Sequence, residues 1–188
     1  MCVILIGRVS EVLKIDLRSA WNCNPHGAGY AIQGKDRKVI VEKGIMGYAD
    51  LLSSLKSLDR REKIVLHLRY ATHGKIDRSN CHPFKIGKTG EVLFHNGVLS
   101  SFGVSGLSGL SDSADLARVL GYLRDKKDRR KVLSSMHGKF VTFGREGLET
   151  FGSFTKIGKV LASNDRFLPL RLEEEEKETP QRWLYQWA

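Results

Sequence analysis

Apolar and polar residues alternate with the two-residue period of β-strands toward both ends of the chain. An apolar, largely β-branched run at residues 2–7 predicts a strand near the N-terminus. The runs at 30–33 and 39–42 are separated by Gly-Lys-Asp-Arg and predict a hairpin. Further strands are expected at residues 63–69, 139–143, 148–151 and 159–162.

Two segments between these strands have the apolar spacing of amphipathic helices. Residues 49–61 place leucines at positions 51, 52, 55 and 58, and residues 112–125 place four aliphatic side chains on one face. Ser111 or Asp112 is positioned to cap the second helix. Strands at both ends with helices between them predict an α+β fold of packed layers, and the Gly- and Ser-rich residues 103–113 predict a mobile loop.

Length and composition are those of a single-domain globular protein. A length of 188 residues with 41% hydrophobic content predicts one globular domain with a continuous core. No apolar run approaches the roughly 18 residues that span a bilayer, and the start lacks a basic leader, so a cytoplasmic protein is expected. The three cysteines form no C-x-x-C pair and predict free thiols, without a disulfide framework or a zinc cage.

The formal charge is +10 and is unevenly distributed. Residues 1–170 carry 28 Lys and Arg against 16 Asp and Glu, a surplus of +12, whereas residues 171–188 are acidic and end in an aromatic cluster. A basic surplus favours anionic partners such as a nucleotide, a nucleic acid or an acidic protein surface. A basic surface that serves solubility alone explains the charge equally well.

Cys2 is a candidate nucleophile because removal of Met1 would place a thiol and a free α-amine on one residue. The amine has a usual pKa of about 7.7–8.0 and the thiol one of about 8.5, so proton transfer from thiol to amine costs little at neutral pH. The same position suits a small buried cysteine that opens an edge strand.

A second group of polar residues is the block from His67 to Gly74, followed by Asn-Cys-His-Pro-Phe at 80–84. Arg69 comes at the end of a predicted strand, where its guanidinium can pair with a substrate carboxylate. Three histidines could instead bind metal: His67, His73 and His82. Their spacings match no common zinc arrangement, so no metal site is predicted.

Two further motifs each have two interpretations. In Phe-His-Asn-Gly at 94–97, the Asn96 amide and the Gly97 N–H can converge on one oxyanion, although Asn-Gly is also a frequent type I′ hairpin turn. Asp112 can hold a substrate ammonium group, or it can cap the helix that begins there.

The order of these motifs resembles that of the glutaminase domain of class II glutamine amidotransferases, which are N-terminal-nucleophile hydrolases. The resemblance includes an N-terminal cysteine, Gly27-Ala-Gly29, the H-x-R-x-A-T-H-G and N-x-H-P-F blocks, H-N-G, and Asp-Ser at a helix start. Two departures are Tyr70, where many members have Trp, and Asp-Ser-Ala where many have Asp-Thr-Glu.

The resemblance implies a four-layer αββα sandwich of two antiparallel sheets, with residues 1–170 as the glutaminase domain and 171–188 as a tail. It implies that Cys2 attacks the glutamine γ-carboxamide, that Asn96 and Gly97 form the oxyanion hole, and that no cofactor takes part. It further implies that Arg69 binds the α-carboxylate of glutamine and that Asp112, or as a second choice Asp115, binds its α-ammonium group. The residues implied to surround the substrate are Tyr70, Thr72 and His73.

Three functions are compatible with these observations. The first is a stand-alone glutaminase that supplies ammonia to a separate synthase, whose acceptor could be a nucleotide or nucleic acid. Its docking patch would be the cluster of Trp183, Leu184, Tyr185 and Trp187 in the tail, which could equally be a packed C-terminal segment. The second is a hydrolase of γ-glutamyl amides or small peptides with water as acceptor. The third is a non-catalytic basic protein that binds nucleic acid.

Overall fold

A computed structural model of the chain describes residues 2–72, 74–99 and 110–169. His73, most of the predicted loop at 103–113, the domain boundary at residue 170 and the aromatic tail lie outside these ranges. Within them, no helix is long and apolar enough to cross a bilayer.

The first sheet has six strands, and every neighbouring pair is antiparallel. In spatial order the strands are β3 (Val39–Ile45), β2 (Ala28–Gln33), β4 (Lys63–Leu68), β1 (Val3–Arg8), β10 (Val160–Ala162) and β9 (Thr155–Ile157). The predicted hairpin is confirmed, since β2 pairs with β3 across the Gly-Lys-Asp-Arg turn. The N-terminal strand therefore lies inside the sheet, between β4 and β10.

The second sheet has four antiparallel strands. They follow in the order β5 (Phe84–Lys85), β6 (Val92–Asn96), β7 (Lys139–Gly144) and β8 (Gly147–Phe151). The outer face of each sheet is covered by helices: α1 (Val9–Val12), α2 (Leu17–Cys23) and α3 (Tyr48–Ser57) on the first, and α4 (Asp112–Leu120) and α5 (Lys126–Ser135) on the second.

The apolar residues separate into three cores because side chains alternate between the two faces of a strand. In β1, Val3 and Leu5 pack toward the helices of the first sheet, whereas Ile4 and Ile6 pack between the two sheets. A separate core joins the second sheet to α4 and α5. Helix, sheet, sheet and helix thus form the four layers of the predicted αββα sandwich.

The expectations about helices were only partly correct. Helix α4 begins at Asp112 as predicted but ends at Leu120, short of the predicted residue 125. Gly121 follows it and lies against Gly87, where a Cβ would come within 2.8 Å of the Gly87 Cα. Helices α1, α2 and α5 were not predicted. In α5 only Arg129 and Leu133 are buried, so its sequence carries little apolar periodicity.

Gly29 is required by a close approach of two segments. A Cβ at this position in β2 would lie 2.1 Å from the His82 carbonyl oxygen and 2.8 Å from the Lys43 Cα. His82 can therefore cross the face of β2 and stack on His67 of β4, with ring centroids 3.9 Å apart. The small residue thus brings the loop after β4 against the centre of the first sheet.

We expect Gly29→Ala to destabilise the fold by about 1–3 kcal/mol, because the added methyl group would collide with backbone atoms. Urea unfolding measures the effect. Gly34→Ala is the matched control, since a Cβ there would meet two side-chain atoms at 3.3 Å and the Lys38 carbonyl oxygen at an ordinary contact distance of 3.6 Å. A change below about 0.5 kcal/mol is expected. Equal stability of the two variants would contradict the close packing at Gly29.

Candidate active site

The inward faces of the two sheets bring the motif residues together. Cys2 precedes β1 in phase with Ile4, whose side chain lies between the sheets. Asn96 ends β6 in phase with Phe94, which lies in the same inter-sheet core. The nucleophile candidate therefore belongs to the first sheet and the Asn-Gly motif to the second, at one end of the space between them.

The Cys2 thiol lies against the backbone of Tyr70. The Tyr70 N–H donates to the Cys2 Sγ at 3.2 Å, and the thiol donates to the Tyr70 carbonyl oxygen at 3.4 Å. Burial raises the pKa of the Cys2 thiol, and the Tyr70 backbone and the Arg69 charge offset part of the rise. The thiol is consequently protonated at neutral pH, and a base is needed to make it a nucleophile.

A pocket opens at this thiol. It is lined by Cys2, Arg69, Tyr70, Ala71, Thr72, His82, His95, Gly97, Ser111, Asp112 and Ser113. About 20 Å³ of the pocket is open to the centre of a water molecule. Tyr70 is 43% exposed and belongs to this rim.

Most of the predicted site residues line this pocket. Cys2, Arg69, Tyr70, Thr72, Gly97 and Asp112 do so. Asn96, which precedes Gly97 in the chain, is not among the lining residues, and His73 is outside the described residues. Arg69 is buried, and its guanidinium donates to the Lys75 carbonyl oxygen at 3.0 Å. A buried cation and a buried carboxylate thus face the same small space.

Ser111, and not Asp112, caps α4. The Ser111 hydroxyl accepts from the Ala114 N–H at 3.3 Å. The Asp112 carboxylate accepts from the Leu99 N–H at 3.0 Å and from the Ser113 N–H at 2.8 Å. The helix-cap interpretation of Asp112 is therefore wrong. Asp115, the second choice for the ammonium group, pairs with Arg118 at 3.6 Å and does not line the pocket.

The hairpin interpretation of Asn96-Gly97 is also wrong. β6 pairs with β5 and β7, and β7 begins only at Lys139, so the dipeptide does not join two paired strands. The Asn96 Nδ2 donates to the Ser163 Oγ at 2.8 Å. A Cβ on Gly97 would lie 2.8 Å from the His95 Nε2, so glycine is the residue that fits there.

Three buried histidines at this end of the structure are in the neutral form: His82 and His95 line the pocket, and His67 stacks on His82. Burial lowers the pKa of His67 to about 3 and that of His95 to about 4, and it lowers that of His82 well below the usual value. His67 is partly satisfied as a strand residue, since its Nε2 lies 3.1 Å from the His95 carbonyl oxygen. Among the residues that the structure describes, no group of three His, Cys, Asp or Glu could hold a metal ion.

Sequence reasoning missed several residues that support this site. Asn164 donates from Nδ2 to the Cys2 carbonyl oxygen at 2.7 Å, and Ser163 lies beside it. His26 accepts from the Ala71 N–H at 2.9 Å and stacks with Tyr70 at a centroid distance of 5.0 Å. The only signal for Ser163 and Asn164 is their position as a polar pair directly after the last predicted strand, as Arg69 follows β4.

Comparisons with known proteins point to one enzyme family. The isomerizing glutamine–fructose-6-phosphate aminotransferase of Listeria innocua is 38% identical over 76 residues, which is 40% of this chain and 12% of that protein. The corresponding enzyme of Listeria monocytogenes is 29% identical over 126 residues, or 60% of this chain and 21% of that protein. The chain thus spans about an eighth to a fifth of these relatives. No protein-family model matches it.

A solved structure has the same fold. The glutamine phosphoribosylpyrophosphate amidotransferase of B. subtilis, complexed with ADP and GMP, superposes with a TM-score of 0.57 and 21% sequence identity. The match covers 87% of this chain and 42% of that chain. The two sheets with their helices therefore have the fold of the matched part of that chain.

We expect the stability of the protein to fall as the pH drops from about 6.5 to 5. His67, His82 and His95 have a lower pKa in the folded state than the usual value of about 6.5, so the unfolded chain binds more protons in this range. Their contribution is complete above pH 6.5 and decreases below it, with a slope of up to about 1.4 kcal/mol per pH unit for each histidine.

Urea unfolding at pH 7.5, 6 and 5 measures this slope, above the range near pH 4 in which carboxylates titrate. His67→Gln is the comparison variant. It should lower the number of protons taken up on unfolding by about one, and so lower the slope by up to about 1.4 kcal/mol per pH unit. A free energy of unfolding that stays constant between pH 7.5 and 5 would contradict the burial of these neutral rings.

Proposed function

We propose that the chain is a class II glutamine amidotransferase domain of the N-terminal-nucleophile hydrolase type, and that it releases ammonia from glutamine through a thioester on Cys2. Its similarity in sequence and in fold to enzymes of that class supports the proposal. The main support is a single observation: one pocket is lined by a thiol, a cation, a carboxylate and a glycine of the Asn-Gly motif. These groups come from separate segments of both sheets and of α4. We also propose that the protein works in the cytoplasm.

In the proposed reaction the Cys2 sulfur attacks the γ-carbonyl carbon of glutamine. Removal of Met1 leaves the α-amine of Cys2 as the base that accepts the thiol proton, and this proton then goes to the departing nitrogen. Ammonia leaves and a γ-glutamyl thioester remains, which water hydrolyses to glutamate and free Cys2. A base is needed at the first step because burial raises the pKa of the thiol.

The negative charge that develops on the γ-oxygen would be held by Asn96 and Gly97. A side-chain amide carries two N–H groups. One Asn96 N–H is used by Ser163, and the other is available to the oxyanion together with the Gly97 backbone N–H. Donors fixed before the reaction stabilise the transition state without having to reorganise.

The charged end of glutamine fits the remaining groups of the pocket. Arg69 would bind the α-carboxylate, and Asp112 would bind the α-ammonium while keeping its bonds to backbone N–H groups. Tyr70, Thr72 and His73 would surround the substrate. Since little of the pocket is open, we propose that the Tyr70–Thr72 rim moves aside on binding and then closes over the thioester.

We further propose that a separate synthase takes up the ammonia. The surplus of +12 on residues 1–170 suits an acceptor that is a nucleotide or nucleic acid. In the absence of that enzyme, glutamate and ammonia should appear in equal amounts. Arg69 and Asp112 would also suit γ-glutamyl amides, so these compounds are compared with glutamine in the same assay.

Cys2→Ala is expected to abolish glutamate release, because it removes the attacking atom. The matched controls are Cys23→Ala, at an exposed position, and Cys81→Ala, at a buried one, and both should retain most of the activity. Glutamate and ammonia are measured for each purified protein. Glutamate release that survives in the Cys2 variant would exclude the proposed mechanism.

The intact mass of the wild-type protein is measured in the same preparation. With Met1 retained, the α-nitrogen of Cys2 is part of a peptide bond and cannot serve as the base. Full activity of a chain that still carries Met1 would therefore require a different base.

Asn96→Ala should lower kcat about 100- to 1000-fold, which is the usual effect of losing one oxyanion donor. The KM for glutamine should change far less, because the oxyanion exists only in and near the transition state. Steady-state kinetics measure both constants. An unchanged kcat would exclude Asn96 from the oxyanion hole.

A further inference from the structure

Resting on the proposed function, we propose that Ser163 is a positioning residue that sets the Asn96 amide relative to the Cys2 strand. Ser163 follows β10 of the first sheet and is fully buried. Asn96 ends β6 of the second sheet. A single hydroxyl oxygen thus joins the two halves of the site.

The Ser163 Oγ accepts two hydrogen bonds from opposite sides. The Asn96 Nδ2 donates to it at 2.8 Å, and the Ile4 N–H donates to it at 2.8 Å. Ile4 belongs to strand β1, and Cys2 lies two residues before it, directly ahead of that strand. The donor of the oxyanion hole and the strand of the nucleophile are therefore each one hydrogen bond from the same atom.

Ser163 itself is held in place from several directions. Its own N–H donates to the Ile4 carbonyl oxygen at 2.9 Å, and the Lys139 Nζ donates to its carbonyl oxygen. Lys139 is paired with Asn96 in the ladder between β6 and β7. The next residue, Asn164, holds the Cys2 carbonyl oxygen at 2.7 Å. The hydroxyl is thus a fixed reference point between the sheets.

The Asn96 amide needs such a reference because its last torsion is intrinsically soft. Rotation about χ2 of asparagine has a broad energy profile with no sharp staggered minima. The bond to Ser163 fixes the plane of the amide and so fixes the direction of its second N–H. Without it, the amide could still be present but would donate to the oxyanion in only a fraction of its orientations.

The inference predicts a specific kinetic pattern for Ser163→Ala. We expect kcat for glutamine hydrolysis to fall about 10- to 100-fold, less than for Asn96→Ala, because the amide is misdirected and not removed. The KM should stay within about threefold of wild type. Alkylation of Cys2 by iodoacetamide, which attacks a saturated carbon and forms no oxyanion, should proceed at the wild-type rate.

A double-mutant cycle separates positioning from general stability. In the Asn96→Ala background, Ser163→Ala should cause little further loss of kcat, because the group on which it acts is absent. Ser54→Ala, which removes a hydroxyl that bonds to Glu42 and lies outside the pocket, is the control for loss of a structural hydrogen bond. It should leave kcat, KM and the alkylation rate unchanged.

Ser163→Thr and Ser163→Val form a second pair, equal in shape and different in the hydroxyl, which serves if the alanine variant does not fold. The threonine variant should exceed the valine variant in kcat by about tenfold or more. Three results would overturn the role of Ser163 and leave the proposed function standing. They are additive losses of kcat in the cycle, equal losses of alkylation and hydrolysis, and equal kcat for the Thr and Val variants. A wild-type protein without glutaminase activity would overturn the proposed function and the inference with it.

Discussion

The site depends on how firmly the two sheets are packed against each other, since the nucleophile candidate belongs to one sheet and the Asn-Gly motif to the other. Apolar residues fill most of the space between them, with Ile4 and Val65 on one side and Phe94 and Val141 on the other. Hydrophobic packing is close but has little directional preference. At the end that holds the pocket, directional hydrogen bonds replace it, from Asn96 to Ser163 and from His67 to the His95 carbonyl oxygen.

Burial at the end of the inter-sheet space that holds the pocket has two effects. It sets the protonation states of Cys2 and the nearby histidines, and it lowers the stability of the fold. A thiol away from water is a weaker acid, and histidines away from water stay neutral, so Cys2 needs a base while the rings nearby carry no charge. The buried charges of Arg69 and Asp112 are instead held by backbone groups. Under the proposed function, the α-carboxylate and α-ammonium groups of glutamine would pair with these two buried charges.

The fold could be predicted from sequence where apolar residues form a continuous strand run, as in β1 and β2, or one face of a helix, as in α4. It could not be predicted for α5, where Leu133 is the one fully buried apolar residue and the other buried residue, Arg129, pairs with Glu91 at 2.8 Å. The candidate site was predictable as a set of motifs, yet Asn96-Gly97 and Asp112 each kept a second interpretation until the strand pairing and the cap of α4 were known. The role proposed for Ser163 could not be predicted from sequence, because it depends on contacts with Ile4 and Asn96, which are far away in the chain.

Tyr70 is a position at which the contacts of the backbone and of the side chain have different consequences. The family that the sequence resembles often has tryptophan where this chain has Tyr70, but the hydrogen bonds between the Cys2 thiol and Tyr70 are to its backbone N–H and carbonyl. The exchange of one aromatic ring for another therefore leaves the contacts of the thiol intact. The ring stacks on His26, whose Nδ1 accepts from the Ala71 N–H. The Tyr70 side chain thus contacts the pocket rim, whereas its backbone contacts Cys2. Under the proposed function, an exchange of this ring would alter access to the pocket and leave the contacts of the thiol unchanged.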